Sequence, residues 1–228
     1  MSSKKKGGRK AGKKAAKRAI ELEGLVGDPD REQGEDFGIR LPQREVPEDF
    51  ELPRREPEGL RESLSSRALE ILEVTHRFAE LLGHRAATTG HLIAAITKEE
   101  SGITGDLFTD INAFPEMFWR QVATVEEVEP NPEGWWFDQE VAKSLERARD
   151  AADCFEDEEV EPEHLFLGLL SLPTGMAARI LEEFSIDRVE MREETLAMMG
   201  IDYLDCPDWE RGIKRRRPKK GRSGKGGG

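Results

Sequence analysis

Between positions 64 and 200 the apolar residues recur at steps of three and four, which places them on one face of a helix. Ala68, Ile71, Leu72, Thr75, Ala79 and Leu82 form the first such stripe. Ser65 stands before it as an N-cap, because its hydroxyl accepts from the unpaired amides of a first turn. Gly83 offers a left-handed stop. Thr89 caps a second, short helix through Leu92, Ile93 and Ile96, and Gly102 opens a third with Ile103, Leu107 and Ile111 inward. Pro115 suits the first turn of a fourth that buries Phe118, Val122 and Val125. After a turn-rich break at 129–134, Asp138 caps a fifth helix carrying Val141, Leu145, Ala148, Ala152 and Phe155. Pro162 leads into a helix over 164–170, and two more follow over 175–181 and 189–199. No stretch alternates with period two for long enough to make a strand.

The second four helices repeat the first four. His164 lies 73 residues after His91, and the same offset maps Gly102 onto Gly175, Leu72 onto Leu145 and Ala79 onto Ala152. A constant offset without gaps is the mark of a duplicated unit. The expected fold is all-α: two tandem four-helix repeats, 64–128 and 137–200, packed as one pseudo-twofold domain.

Charge changes the picture outside that domain. Charged residues make up 36% of the 228-residue chain, and the net charge is −12. Residues 1–19 hold nine Lys or Arg and no acid, and residues 211–228 hold nine more and no acid. Removing those 18 leaves 17 basic against 47 acidic groups in residues 20–210. Basic arms of this kind repel themselves, so residues 1–63 read as a disordered basic tail and acidic, proline-rich linker, and 201–228 as a second disordered tail. No apolar run reaches the ~20 residues of a membrane span, and residues 1–19 lack the apolar core of a secretory signal. Cys154 and Cys206 match no disulfide framework and no metal spacing, so a reducing, cytoplasmic setting is expected.

Three features of the repeat carry a resemblance. They are a capped first helix, the run Glu161-Pro-Glu-His-Leu-Phe-Leu-Gly-Leu-Leu170 with its echo Thr88-Thr-Gly-His-Leu-Ile-Ala-Ala-Ile96, and Gly175-Met-Ala-Ala-Arg-Ile-Leu181. Together they resemble the Clp N-terminal domain, the docking module at the front of ClpA/ClpC-type unfoldases. Gly221-Arg-Ser-Gly-Lys-Gly226 only echoes a phosphate loop, since no Ser or Thr follows Lys225. The resemblance therefore implies a stand-alone, non-catalytic accessory or adaptor-like protein that docks clients or a Clp unfoldase, with no cofactor. Some relatives bind phosphoarginine, using a Glu beside the motif histidine and a Thr at the head of the first helix. Residue by residue, Glu163 matches that Glu, with Gly90 in its place in the first copy, and the Thr positions are Ser65 and Asp138. On this reading neither copy holds both halves of the site. As plain structural residues, Ser65 is a cap and Glu163 a first-turn acid facing the helix dipole.

Other candidates read as follows. Trp135 and Trp136, with Trp119 and Trp209, gather near the joint between the copies or just beyond the second; Trp119 and one of the pair Trp135/Trp136 anchor the core, and an exposed remainder would mark a partner groove. His91 and His164 sit at equivalent helix starts. With no third ligand at a suitable spacing, they are structural histidines bonded within each repeat and not metal ligands. The acids from Asp153 to Glu163 suit a basic partner, the chain's own tails included. The alternative function is a nucleic-acid-associated protein that contacts phosphates through those tails. An acidic body and the lack of interleaved aromatics oppose that reading.

Overall fold

The hydrophobic stripes become eight α-helices. In the computed structural model, which describes residues 50–99, 102–111, 115–125 and 128–201, the first four are α1 (Ser66–Leu81), α2 (Thr89–Thr97), α3 (Ile103–Asp110) and α4 (Pro115–Ala123). The second four are α5 (Gln139–Phe155), α6 (Pro162–Leu170), α7 (Met176–Glu183) and α8 (Arg188–Met198). Each of the second four begins 73 residues after its counterpart in the first four. Among the described residues the β features are two isolated bridges, Leu64 with Val160 and Ala87 with Phe137.

The two short helices α2 and α6 form the centre. Every residue of both is buried, as a helix apolar on all sides requires. The other helices wrap them, and one continuous core takes side chains from all eight. Helix α5 packs closely on α6. A Cβ at Gly168 would collide with the Ser144 carbonyl and press on the Ala148 backbone. Glycine lets the two backbones meet there.

Several details differ from the sequence reading. Thr88, not Thr89, caps α2, accepting from the Gly90 amide at 3.2 Å. The freed Thr89 hydroxyl instead accepts from the Ala177 amide at 3.1 Å, capping the first turn of α7 from across the molecule. On α3 the buried residues are Thr104, Leu107 and Phe108, while Ile103 and Ile111 are half-buried. That helix is too short for its periodicity to fix the inward face to better than one residue.

The ordered domain also begins before residue 64. Leu52 is buried against the core, and the Trp136 amide donates to the Arg55 carbonyl at 3.0 Å. Arg54 and Arg61 both pair with Glu73 on α1, at 3.0 and 2.9 Å, and a 3₁₀ turn at Arg61–Ser63 leads into α1. Residues 50–63, expected as part of a disordered linker, pack on the domain because one leucine and several ion pairs anchor them. Cys154 is disulfide-bonded, against the expectation of unpaired thiols. Cys206, the other cysteine of the sequence, lies outside the described residues. So do Trp209 and both basic segments, 1–19 and 211–228. Among the described residues no helix is long and apolar enough to cross a membrane.

Candidate functional site

The segments that precede the helices lace the two halves together. The Ser65 amide donates to the Val160 carbonyl at 3.1 Å, and the Val160 amide to the Ser63 carbonyl at 2.8 Å. The Asp138 amide donates to the Ala87 carbonyl, and the Ala87 amide to the Trp136 carbonyl, both at 2.8 Å. Shifting the first pair of bonds by 73 positions, forward in one strand and back in the other, gives the second pair. Two equivalent seams result: the head of α1 against the head of α6, and the head of α5 against the head of α2. Each seam joins one half to the other. Ser65 and Glu163 lie on the same seam. Ser65 belongs to the first half and Glu163 to the second.

The first seam is a charged network. Ser65 caps α1 by accepting from the Ala68 amide at 3.3 Å, and its hydroxyl donates to Glu161 Oε2 at 2.8 Å. Arg67 donates to Glu99 Oε1 through Nε at 2.9 Å and Nη2 at 2.5 Å, and stands 3.8 Å from Glu163 Oε1. Thr104 holds the other Glu99 oxygen at 3.0 Å. The two carboxylates are largely covered, with side chains 12% and 10% exposed, while the Arg67 side chain is 40% exposed. Burial works against the guanidinium charge, but the Glu99 bonds and the charges of Glu163 and Glu161 outweigh it and hold its pKa above the ordinary value. Gly102 opens α3 at φ +90°, and a Cβ there would collide with Arg67 Nη2. The glycine leaves room for the guanidinium.

The second seam has the same frame and other chemistry. Asp138 caps α5, accepting from the Val141 amide at 2.8 Å. Burial pushes its carboxyl up to about 6, with Glu140 adding to the rise and the amide bonds opposing it. Glu140 stands where Arg67 stands in the first seam, and pairs with Lys143 at 2.8 Å. Gly90 stands where Glu163 does. A Cβ at that position would collide with the Met176 side chain, so a larger residue would have to displace it. Only the first seam therefore presents carboxylates to a guanidinium.

The aromatic candidates separate. Trp136 is buried, its indole donates to Glu56 Oε2 at 3.2 Å, and its ring meets His76 and Phe137 edge-on. It is a core anchor, which corrects its place among binding residues. Trp135 is half-buried against Phe137. The two motif histidines complete the capping of α2 and α6: Thr88 N–H donates to His91 Nδ1 at 2.9 Å, and Glu161 N–H to His164 Nδ1 at 3.0 Å. Among the described residues no group of three or more side chains is placed to hold a metal ion. Sequence reasoning missed Arg67 and Glu99. Their partners lie 32 and 96 residues away from Arg67, and no local pattern marks such a meeting.

Comparison with known proteins agrees with this architecture. Residues 136–202 match the Clp repeat (R) N-terminal domain family. A probable ATP-dependent Clp protease ATP-binding subunit from Chlamydia pneumoniae is 25% identical over 149 residues, covering 64% of this chain and 18% of that protein. The negative regulator of genetic competence ClpC/MecB of Bacillus subtilis is 23% identical over 137 residues, covering 60% of this chain and 17% of that protein. The chain thus matches under one fifth of the length of these relatives. The crystal structure of the N-terminal domain of ClpD from Arabidopsis thaliana superposes with a TM-score of 0.51 at 19% identity, over 61% of this chain and 96% of that one. That likeness is one of fold.

Proposed function

We propose, starting from a helical domain of the Clp N-terminal type, that this chain is a docking protein of a Clp unfoldase system. In this reading the domain is a double Clp repeat over residues 64–200, and it works by binding, without a catalytic step of its own. A partner meets it at the first seam, where Ser65, Arg67, Glu99 and Glu163 converge. The observation that carries the reading is the pair of covered carboxylates around one half-exposed guanidinium. Such a pair selects a planar, forked cation, because carboxylate and guanidinium match in charge and in hydrogen-bond geometry. Arg67 fills the place at rest. An arginine-bearing segment of a client, or of the unfoldase, competes for Glu163 by swinging Arg67 outward.

The test uses the full chain, immobilised, with two probes: a purified ClpC-type unfoldase, and unfolded casein with and without phosphorylated arginines. Binding of at least one probe is expected, with Glu163→Gln weakening it about tenfold, or ~1.4 kcal/mol. Arg67→Ala, which vacates the seam, strengthens it. Failure to bind any probe would overturn the docking role. Binding that Glu163→Gln leaves unchanged would overturn the seam as its place.

A further inference from the structure

One short pattern is written twice ahead of the helices. Leu52-Pro53-Arg54-Arg55-Glu56 repeats Leu41-Pro42-Gln43-Arg44-Glu45, and only the third position differs. The upstream copy lies outside the described residues. The downstream copy is part of the strap that packs on the domain, and the way it is seated shows what the pattern is read by.

Proline restricts the residue before it to extended backbone, so each leucine is held out straight before any contact forms. Leu52 enters the core at 3% exposure, and its amide donates to Glu80 Oε1 at 3.4 Å. Two turns back along the same face of α1, Glu73 Oε2 accepts from Arg54 Nη1 at 3.0 Å. Trp136 grips the far end twice. Its amide donates to the Arg55 carbonyl at 3.0 Å, and its indole donates to Glu56 Oε2 at 3.2 Å. The Arg55 guanidinium lies beside Gly134, where an added Cβ would stand 3.5 Å from Nη1. An extended segment held by a backbone bond, with chosen side chains taken into pockets, is how a sheet edge binds a peptide. The position that differs between the copies, Arg54 against Gln43, is one whose side chain is 65% exposed. The shared leucine, arginine and glutamate are residues that the groove holds.

We propose that the groove between α1 and Trp136 is a binding site for the linear pattern Leu-Pro-x-Arg-Glu, and that Leu41–Glu45 of this chain takes it in turn with Leu52–Glu56. In the second register Leu41 replaces Leu52, the Arg44 carbonyl accepts from the Trp136 amide, and Glu45 accepts from the indole. Gln43 carries no charge for Glu73, so this register is the weaker of the two. Exchange is local: of residues 50–58 Leu52 alone is buried, and the ion pair of Arg54 with Glu73 is open to water and adds little. The strap therefore lifts without unfolding the helices. A ligand on the same chain is present at high effective concentration, which compensates for its weaker fit. The groove shares no residue with the first seam, and its test is independent of the docking role proposed there.

Amide hydrogen exchange by mass spectrometry on the full chain tests this, read over 134–138, where the Trp136 amide is bonded to whichever copy is seated. Leu41→Ser alone should change protection less than about twofold, because the better copy holds the groove. In a chain that already carries Leu52→Ser, adding Leu41→Ser should lower protection about tenfold further. A synthetic peptide of residues 39–47 should restore protection to the double variant, and the same peptide with Leu41→Ser should not. Protection over 66–81 and 139–155 reports on the helices, so a fall confined to 134–138 separates an empty groove from an unfolded chain. If the helices open as well, the unaltered chain decides: the 39–47 peptide carrying a photoreactive group should attach to α1 or to 134–138, and a peptide of residues 50–58 should displace it. Leu41→Ser without effect in the Leu52→Ser chain, or attachment elsewhere, would overturn the proposal.

Discussion

Asp138 offers a quantitative check on the electrostatics of the second seam. It caps α5 with an amide bond of 2.8 Å, yet burial raises its carboxyl from the ordinary 3.8 to about 6. At neutral pH the native state therefore holds a carboxylate that it disfavours. Each pKa unit is worth ~1.4 kcal/mol, so a rise of this size corresponds to about 3 kcal/mol of lost stability at pH 7.5. Asn caps as well as Asp and carries no charge. Asp138→Asn should thus stabilise the chain at pH 7.5, by about 1–3 kcal/mol once partial solvent screening is allowed for. The sign follows from linkage. A raised carboxyl pKa means that the native state binds the proton more tightly, so the unaltered chain gains stability as pH falls from above 6 toward ~4. The variant lacks that gain, and its advantage should shrink through pH 6 and vanish near pH 4. Urea unfolding of both proteins at half-unit steps from pH 8 to 4.5 measures it. Because only the difference between the two is used, the opposing titration of the histidines cancels. A variant that is less stable at pH 7.5, or an advantage that does not change with pH, would refute the burial argument.

Two further outcomes concern packing. Gly168→Ala places a Cβ into the Ser144 carbonyl, and because backbone cannot yield cheaply the variant should lose about 1–3 kcal/mol by urea unfolding. Leu52→Ala removes a side chain that is 3% exposed and should lose about 2–3 kcal/mol. An unchanged midpoint would show that residues 50–63 are not part of the cooperative domain.

The helices and their order were legible because they rest on local spacing. Stripes such as Ile71, Leu72 and Ala79 fix a face, Ser65 and Asp138 announce helix starts, and a shared offset of 73 residues needs no knowledge of contacts. The role of His91 and His164 as structural histidines within each repeat was legible for the same reason, since their caps reach only three residues back. What failed was also local. Thr88 and Thr89 are equally good caps on paper, and only the docking of α7 onto Thr89 separates them.

Everything that makes a site was decided by the tertiary structure. Periodicity cannot say that the head of α1 pairs with the head of α6 in the other half, so the meeting of Ser65 with Glu161 and of Arg67 with Glu163 was invisible in the chain. Nor could it tell that Trp136 turns inward to Glu56 while Trp135 stays half-buried. The sequence by itself determined which segments coil and which faces are apolar, since both follow from interactions within a few residues. Which charges converge, and which are stripped of water, depends on the packing of segments far apart, and only the folded chain settles that.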